Sequence, residues 1–183
     1  MYTALAILGS LLAVAGTVPY ILETIKRKAK PRVVSWFTWA LLTGLAAAAA
    51  FSDGQISAGL FALAGALATG TVVIVGWKYG DRRFTRLDIV CLAGVVAGLA
   101  LWLSFDSPAL AVWGAIVIDF IGFVPTYKHA WDKPKEETPV FFATVFAGGL
   151  LSTLAAVPVG GWTVTSVAYP LYVDLSMGLC LAV

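Results

Sequence analysis

The chain has 183 residues, 60% of them hydrophobic and 12% charged. A soluble domain of this size could not bury so much apolar surface, and almost no polar sequence is left to build a domain outside a bilayer. The formal net charge of +2 decides little; the placement of the charges decides more.

In chain order, seven apolar runs occupy residues 3–22, 33–51, 56–77, 88–105, 108–126, 139–158 and 163–183. Each approaches the ~20 residues that cross a bilayer, which predicts an all-α integral membrane protein with seven transmembrane helices. The first run contains Ala13-Val14-Ala15, which looks like a signal-peptide cleavage site. No basic residue precedes it and the apolar run continues past it, so it reads as a first helix.

All twelve Lys and Arg residues fall in the connections after the first, third and fifth runs: Lys26 to Arg32, Lys78 to Arg86, and Lys128, Lys133 and Lys135. The connections on the other side carry only Asp53 and Asp106. The positive-inside rule then predicts a plasma (cytoplasmic) membrane protein with its N-terminus outside and its C-terminus in the cytoplasm. Topology accounts for the basic patch, so no nucleic-acid partner is expected.

Cys91 and Cys180 sit inside apolar runs and read as packing residues. His129 lies in a loop without ligand partners. Metal-ligand spacing, a Ser/His/Asp set, a phosphate-cradling glycine loop and a retinal-type lysine in the last helix are all missing from the sequence. No enzyme, metal or cofactor is expected.

Gly16-Thr17-Val18-Pro19 near the end of the first run returns as Gly122-Phe123-Val124-Pro125 near the end of the fifth. Each phrase precedes a polar loop, a second proline (Pro31, Pro139) and a new helix. The spacing suggests two three-helix units joined by the fourth helix. Because the first and fifth runs cross in the same direction, the copies are parallel. Pro19 and Pro125 each remove a backbone donor near a helix end; they serve either as terminators or as hinges. Gly94 and Gly98 in the linker helix form a small-x-x-x-small packing signal, for a dimer seam or for the bundle itself.

Asp119 and Asp174 are each the twelfth residue of their run, which places both near the midplane. An ionised carboxylate there costs roughly 2.5–3.5 kcal/mol if unpaired, and every basic side chain belongs to a loop. A proton, a cation, a cationic substrate or local hydrogen bonds must compensate, and two such acids close together would titrate as a coupled pair. Pro170, Asp174 and Gly178 share one helix face, flanked by Tyr172 and Ser176. Pro170 is expected to break the seventh helix one turn from its acid. In the second helix, Thr38 and Trp39 are deep enough to line a cavity, whereas Trp36 reads as an interfacial anchor. Trp77, Trp102, Trp113, Trp131 and Trp162 read as aromatic belts. Thr144, Gly148 and Ser152 form a small polar stripe facing either a path or a neighbouring helix.

Three helices, a linker helix and three more, with a proline closing the first helix of each copy, resemble the SWEET sugar-transporter and PQ-loop superfamily. Where that family carries Pro-Gln, this chain has Pro19-Tyr20 and Pro125-Thr126. The resemblance implies a bundle at 1–78, a loop and linker helix at 79–106 and a second bundle at 107–183, with the helices of each bundle in 1-3-2 order. It also brings in three branches: proton-coupled exporters that use membrane acids, vitamin-precursor transporters with a W-x-x-W motif matched by Trp36 and Trp39, and a receptor branch. The expectation is a small-solute transporter working by alternating access, with a sugar, amino acid or vitamin-like substrate and proton linkage as an option. Asp119, Asp174, Trp39, Thr38 and Tyr172 would hold substrate or proton, and Pro19, Pro125 and Pro170 would act as hinges. The alternative is a membrane receptor or assembly partner that moves no solute. A homo-oligomer is compatible with either.

Overall fold

The computed structural model describes residues 2–132 and 139–182, apart from the side chains at 125, 126 and 128–130. The elements are α1 (Tyr2–Ile25), α2 (Val33–Ser52), α3 (Ile56–Tyr79), α4 (Arg86–Phe105), α5 (Pro108–Asp132), α6 (Pro139–Gly160) and α7 (Tyr169–Leu181). A π-helical turn, Val164–Ala168, leads into α7. Apart from one isolated bridge between Arg32 and Asp81, no β-structure occurs among the described residues. Six of the helical segments are long and apolar enough to cross a membrane, with the π turn and α7 counted as one span; the apolar stretch of α5, Pro108–Val124, is shorter. Helices suit such a setting because they satisfy every interior backbone polar group within the segment.

α3 packs against both α1 and α2, and α7 packs against both α5 and α6. α1 meets α6 and α2 meets α5, so these six helices close a ring, while α4 lies outside it against α5 and α2. Small residues set the closest approaches. A Cβ added to Gly9 would come 2.5 Å from the Gly148 carbonyl oxygen, and one on Gly148 would come as close to that of Gly9. One on Gly16 would overlap the Thr144 hydroxyl. The Thr144–Gly148–Ser152 stripe therefore faces α1, and Ser152 donates to the Ser57 carbonyl of α3 at 3.2 Å; it lines no path. Gly94 packs under Ile118 and Gly98 against Gly114, so the linker-helix glycines serve the α4–α5 seam inside the bundle.

The centre of the ring is apolar. Leu42, Leu45, Phe61, Val112, Phe123, Phe142, Val173 and Met177 are buried in one contiguous cluster contributed by α2, α3, α5, α6 and α7.

Three expectations need correction. Pro19 does not end its helix, because α1 continues to Ile25. α5 likewise runs past position 125 to Asp132, and the Pro125 side chain lies outside the described residues. Pro170 does not break the seventh helix either. It sits in the first turn of α7, where a missing N–H is tolerated, and the irregularity is the π turn before it. Trp36 is buried rather than interfacial, because Tyr20 of α1 stacks on it with ring centroids 5.0 Å apart. Trp102 packs partly against the core, whereas Trp77, Trp113, Trp131 and Trp162 are exposed.

Charge is segregated between the two ends. The α1–α2 and α3–α4 loops, both basic, are joined by backbone bonds from the Val33 N–H to the Asp81 carbonyl and from the Asp81 N–H to the Pro31 carbonyl, each 2.8 Å. At the opposite end Thr165 donates a short hydrogen bond to Asp53. Asp53, Asp106, Ser107 and Thr163 line an open cleft of about 310 Å³ there. The described loops at that end hold no Lys or Arg. Lys133 and Lys135, and the side chain of Lys128, lie outside the described residues.

Candidate functional site

Among the described residues three carboxyl groups are buried within the helices, and their surroundings differ completely. Asp119 comes from α5 and is 9% exposed. The hydroxyl of Tyr172, on α7, lies close to it, yet makes no hydrogen bond of ordinary geometry. Tyr169 and Tyr127 stand around the same acid within electrostatic reach. No lysine or arginine falls within Pro108–Val124 of α5 or within α7.

Asp174 faces the other neighbour of α7. Its carboxyl lies against Gly149 of α6, where an added Cβ would overlap it. Both oxygens are buried without a hydrogen-bond partner. One turn along α6, the buried Thr153 hydroxyl is also unpartnered. Gly149 and Thr153 share a helix face (i, i+4), as do Asp174 and Pro170. The contacts Gly149–Asp174 and Phe146–Gly178 fix an antiparallel register, which continues to Thr153 opposite Pro170. The α6–α7 seam thus holds three unsatisfied oxygens. Such groups are rare because each forfeits its hydration without replacement. Asp119 and Asp174 consequently lie on opposite sides of α7 instead of forming a pair.

The third acid was not singled out from the sequence. Asp88 opens α4, and its carboxylate is 4% exposed. Arg32 reaches Oδ2 at 2.8 Å, the Thr85 N–H at 2.7 Å, the Thr85 hydroxyl at 2.6 Å, and the Ser35 hydroxyl donates to Oδ1 at 3.3 Å. Thr85 and Asp88 form a capping box, and the Thr85-x-x-Asp88 spacing is its readable sign. Arg32 is 56 residues away and gives no such sign.

Behind Asp88 lies a cavity of about 20 Å³, lined by Ser35, Thr38, Trp39, Cys91, Ile118 and Gly122. That is room for one water. Thr38 and Trp39 thus line a cavity, but it sits between α2, α4 and α5, off the centre of the ring. Gly122 borders the Trp39 indole and the Cys91 thiol: a Cβ added there would lie 3.6 Å from Trp39 Nε1 and 3.7 Å from the Cys91 sulfur, ordinary contact distances.

A chain of aromatic rings runs beside this cavity from α1 to α5. Tyr20 meets Trp36, Trp36 meets Trp39 edge-on at 5.2 Å, Trp39 meets Phe123 at 6.0 Å, and Phe123 meets Tyr127 edge-on at 4.7 Å. Offset and edge-on geometries are the favourable ones for such rings. The chain starts beside Pro19 and ends on either side of position 125. Cys91 and Cys180 are both buried free thiols, and no group of three or more metal-ligating side chains occurs among the described residues. Comparisons of the chain with protein-family models, with curated proteins and with solved structures find no match.

Proposed function

We propose that this chain is a small-solute membrane transporter working by alternating access, with the movement of solute linked to protons. The observation that carries the reading is Asp174: a carboxyl midway along α7, buried against α6, with neither oxygen satisfied. A bundle that only needed to pack would place a methyl group there at lower cost. A carboxyl persists at such a depth when it has to exchange a proton or meet a polar solute during the working cycle. Asp119 with Tyr172 supplies a second polar point at similar depth.

Further support comes from the arrangement of the helices. α3 lies between α1 and α2, and α7 between α5 and α6, with α4 outside, a helix order compatible with the SWEET and PQ-loop resemblance. Pro19 sits inside a continuous α1, where a missing N–H lets the helix flex. The aromatic chain from Tyr20 to Tyr127 ties that helix to α5, so bending at one would be felt at the other. The packed apolar centre corresponds to a closed state of the cycle. The basic end is cytoplasmic on the same reading.

The packed centre also favours a second reading, a receptor or assembly partner without transport. Liposomes separate the two. A screen of sugars, amino acids and vitamin-like solutes for those that raise the melting temperature selects candidates. A trapped pH dye then reports whether such a solute moves with protons. Asp119→Asn and Asp174→Asn should each lower the proton-linked rate at least tenfold. If both variants keep the wild-type rate and pH dependence, the acids have no such role.

A further inference from the structure

We propose that water and protons reach Asp119 from the basic end through the crevice between α2, α4 and α5, with Asp88 at its mouth. The inference rests on the proton-linked reading and deepens it: the route lies to one side of the ring, not along its centre.

Three observations place the route. First, the cavity behind Asp88 has room for one water, and Ser35, Thr38, Trp39, Asp88 and Cys91 are among its lining residues. Second, the α4–α5 register is set by close contacts of Cys91 with Gly122, Gly94 with Ile118 and Gly98 with Gly114. It puts Asp88 and Asp119 about 8 Å apart along the bundle at 1.5 Å per residue, with the cavity between them. Third, Cys91 lies within electrostatic reach of both acids. Gly122, one turn from Asp119 on α5, contributes no side chain to the cavity wall.

Every element around this track is accounted for. The α1–α2 loop presents Arg32 to Asp88, and α2 presents only Ser35, Thr38 and Trp39. α4 presents Cys91, α7 presents Tyr169 and Tyr172 to Asp119, and α5 itself adds Tyr127. Among the described residues Arg32 is the cation bonded to Asp88, and it covers Asp88 from the solvent side: its side chain is 43% exposed against 4% for Asp88. When that pair opens, a hydronium ion from the solution at the basic end enters past Asp88, gives its proton to the Asp119 carboxylate and remains as water.

Cys91 is a native reporter of this crevice. In a Cys180→Ser background reconstituted in liposomes, a small membrane-impermeant methanethiosulfonate should label Cys91 from the basic end and not from the other. Arg32→Ala should speed that labelling at least tenfold, because the cover is removed while the Thr85 and Ser35 bonds to Asp88 remain. Gly122→Ala fits at ordinary contact distances, fills the space beside Trp39 and should slow labelling severalfold. It should also slow proton-linked transport. Equal labelling of all three proteins, or labelling from the acidic end, overturns the route whatever the transport assay returns. The expected labelling pattern without solute movement supports the crevice and counts against the transporter reading alone.

Discussion

Asp88 and Asp174 are both carboxyl groups buried in apolar helices, and they stand at opposite extremes. At the α2–α4 mouth, four donors converge on Asp88, one of them a guanidinium. In the α6–α7 seam, Asp174 meets a glycine backbone and no donor at all. The first acid fastens two loops and begins a helix. The second contributes nothing to packing that a smaller apolar residue would not. An acid whose lone pairs are filled by the fold is explained by the fold, whereas one whose lone pairs are empty asks for a partner that comes and goes. Burial alone does not separate these cases; the count of donors does.

The largest expected effect tests this contrast directly. Asp88→Asn weakens the Arg32 pair and the capping box together. Charge-assisted bonds of this kind are worth about 1.5–3 kcal/mol and a cap about 1 kcal/mol. Half-exposed Arg32 can partly rehydrate, so a net loss of about 2–3 kcal/mol is expected. Asp174→Asn changes no hydrogen bond and should stay within about 0.5 kcal/mol of wild type, the range of substitutions that break no named interaction. Unfolding in mixed detergent micelles measures both. If Asp174→Asn is as costly as Asp88→Asn, Asp174 is a structural residue and the contrast collapses.

A smaller effect comes from the glycine facing Asp174. A Cβ at Gly149 overlaps the carboxyl, and over-packing of a tight seam costs about 1–3 kcal/mol. Asp174→Ala should remove the overlap, so Gly149→Ala in that background should cost less than about 0.5 kcal/mol. The double-mutant cycle isolates the contact. Additive losses would mean that the carboxyl does not rest on Gly149.

Much of the architecture could be read before any coordinates, because hydropathy and length act locally. The helices fall where the apolar runs lie, with α1 running on to Ile25 and α5 to Asp132. Asp119 and Asp174 stood out because a charge in an apolar run needs no tertiary knowledge to notice. Which way each one faces depends on how α7 is rotated between α5 and α6, and a single helix does not encode that. Trp36 was misread for the same reason: its depth was counted from the start of α2, while its burial comes from Tyr20 on another helix. The π turn stands just before Pro170, the residue that marked the seventh span as irregular. Asp88 was legible through Thr85-x-x-Asp88 and was passed over because it stands at a helix start, where acids are ordinary.

The smallest expected effect belongs to a third kind of acid. Asp81 lies between α3 and α4, outside the membrane-spanning segments, and is held by the Arg83 side chain at 2.8 Å and by its backbone N–H at 3.0 Å. The Arg83 side-chain bond, followed by the backbone bond, pulls the Asp81 carboxyl down to about 2, and the same pairing raises Arg83. A folded value below the unfolded one means that the pair's contribution is full above about pH 4 and is lost as pH falls toward about 2. Arg83 is 86% exposed, so water and salt screen the pair. The backbone bonds that join the two loops at Asp81 use its N–H and carbonyl and survive replacement of the side chain. Asp81→Asn should therefore move the melting temperature at pH 7 by no more than about 1 °C, and any difference should vanish near pH 2. A loss approaching that of Asp88→Asn would mean that an exposed pair clamps the basic end as firmly as a buried one. Donor count without burial would then be enough to make an acid structural.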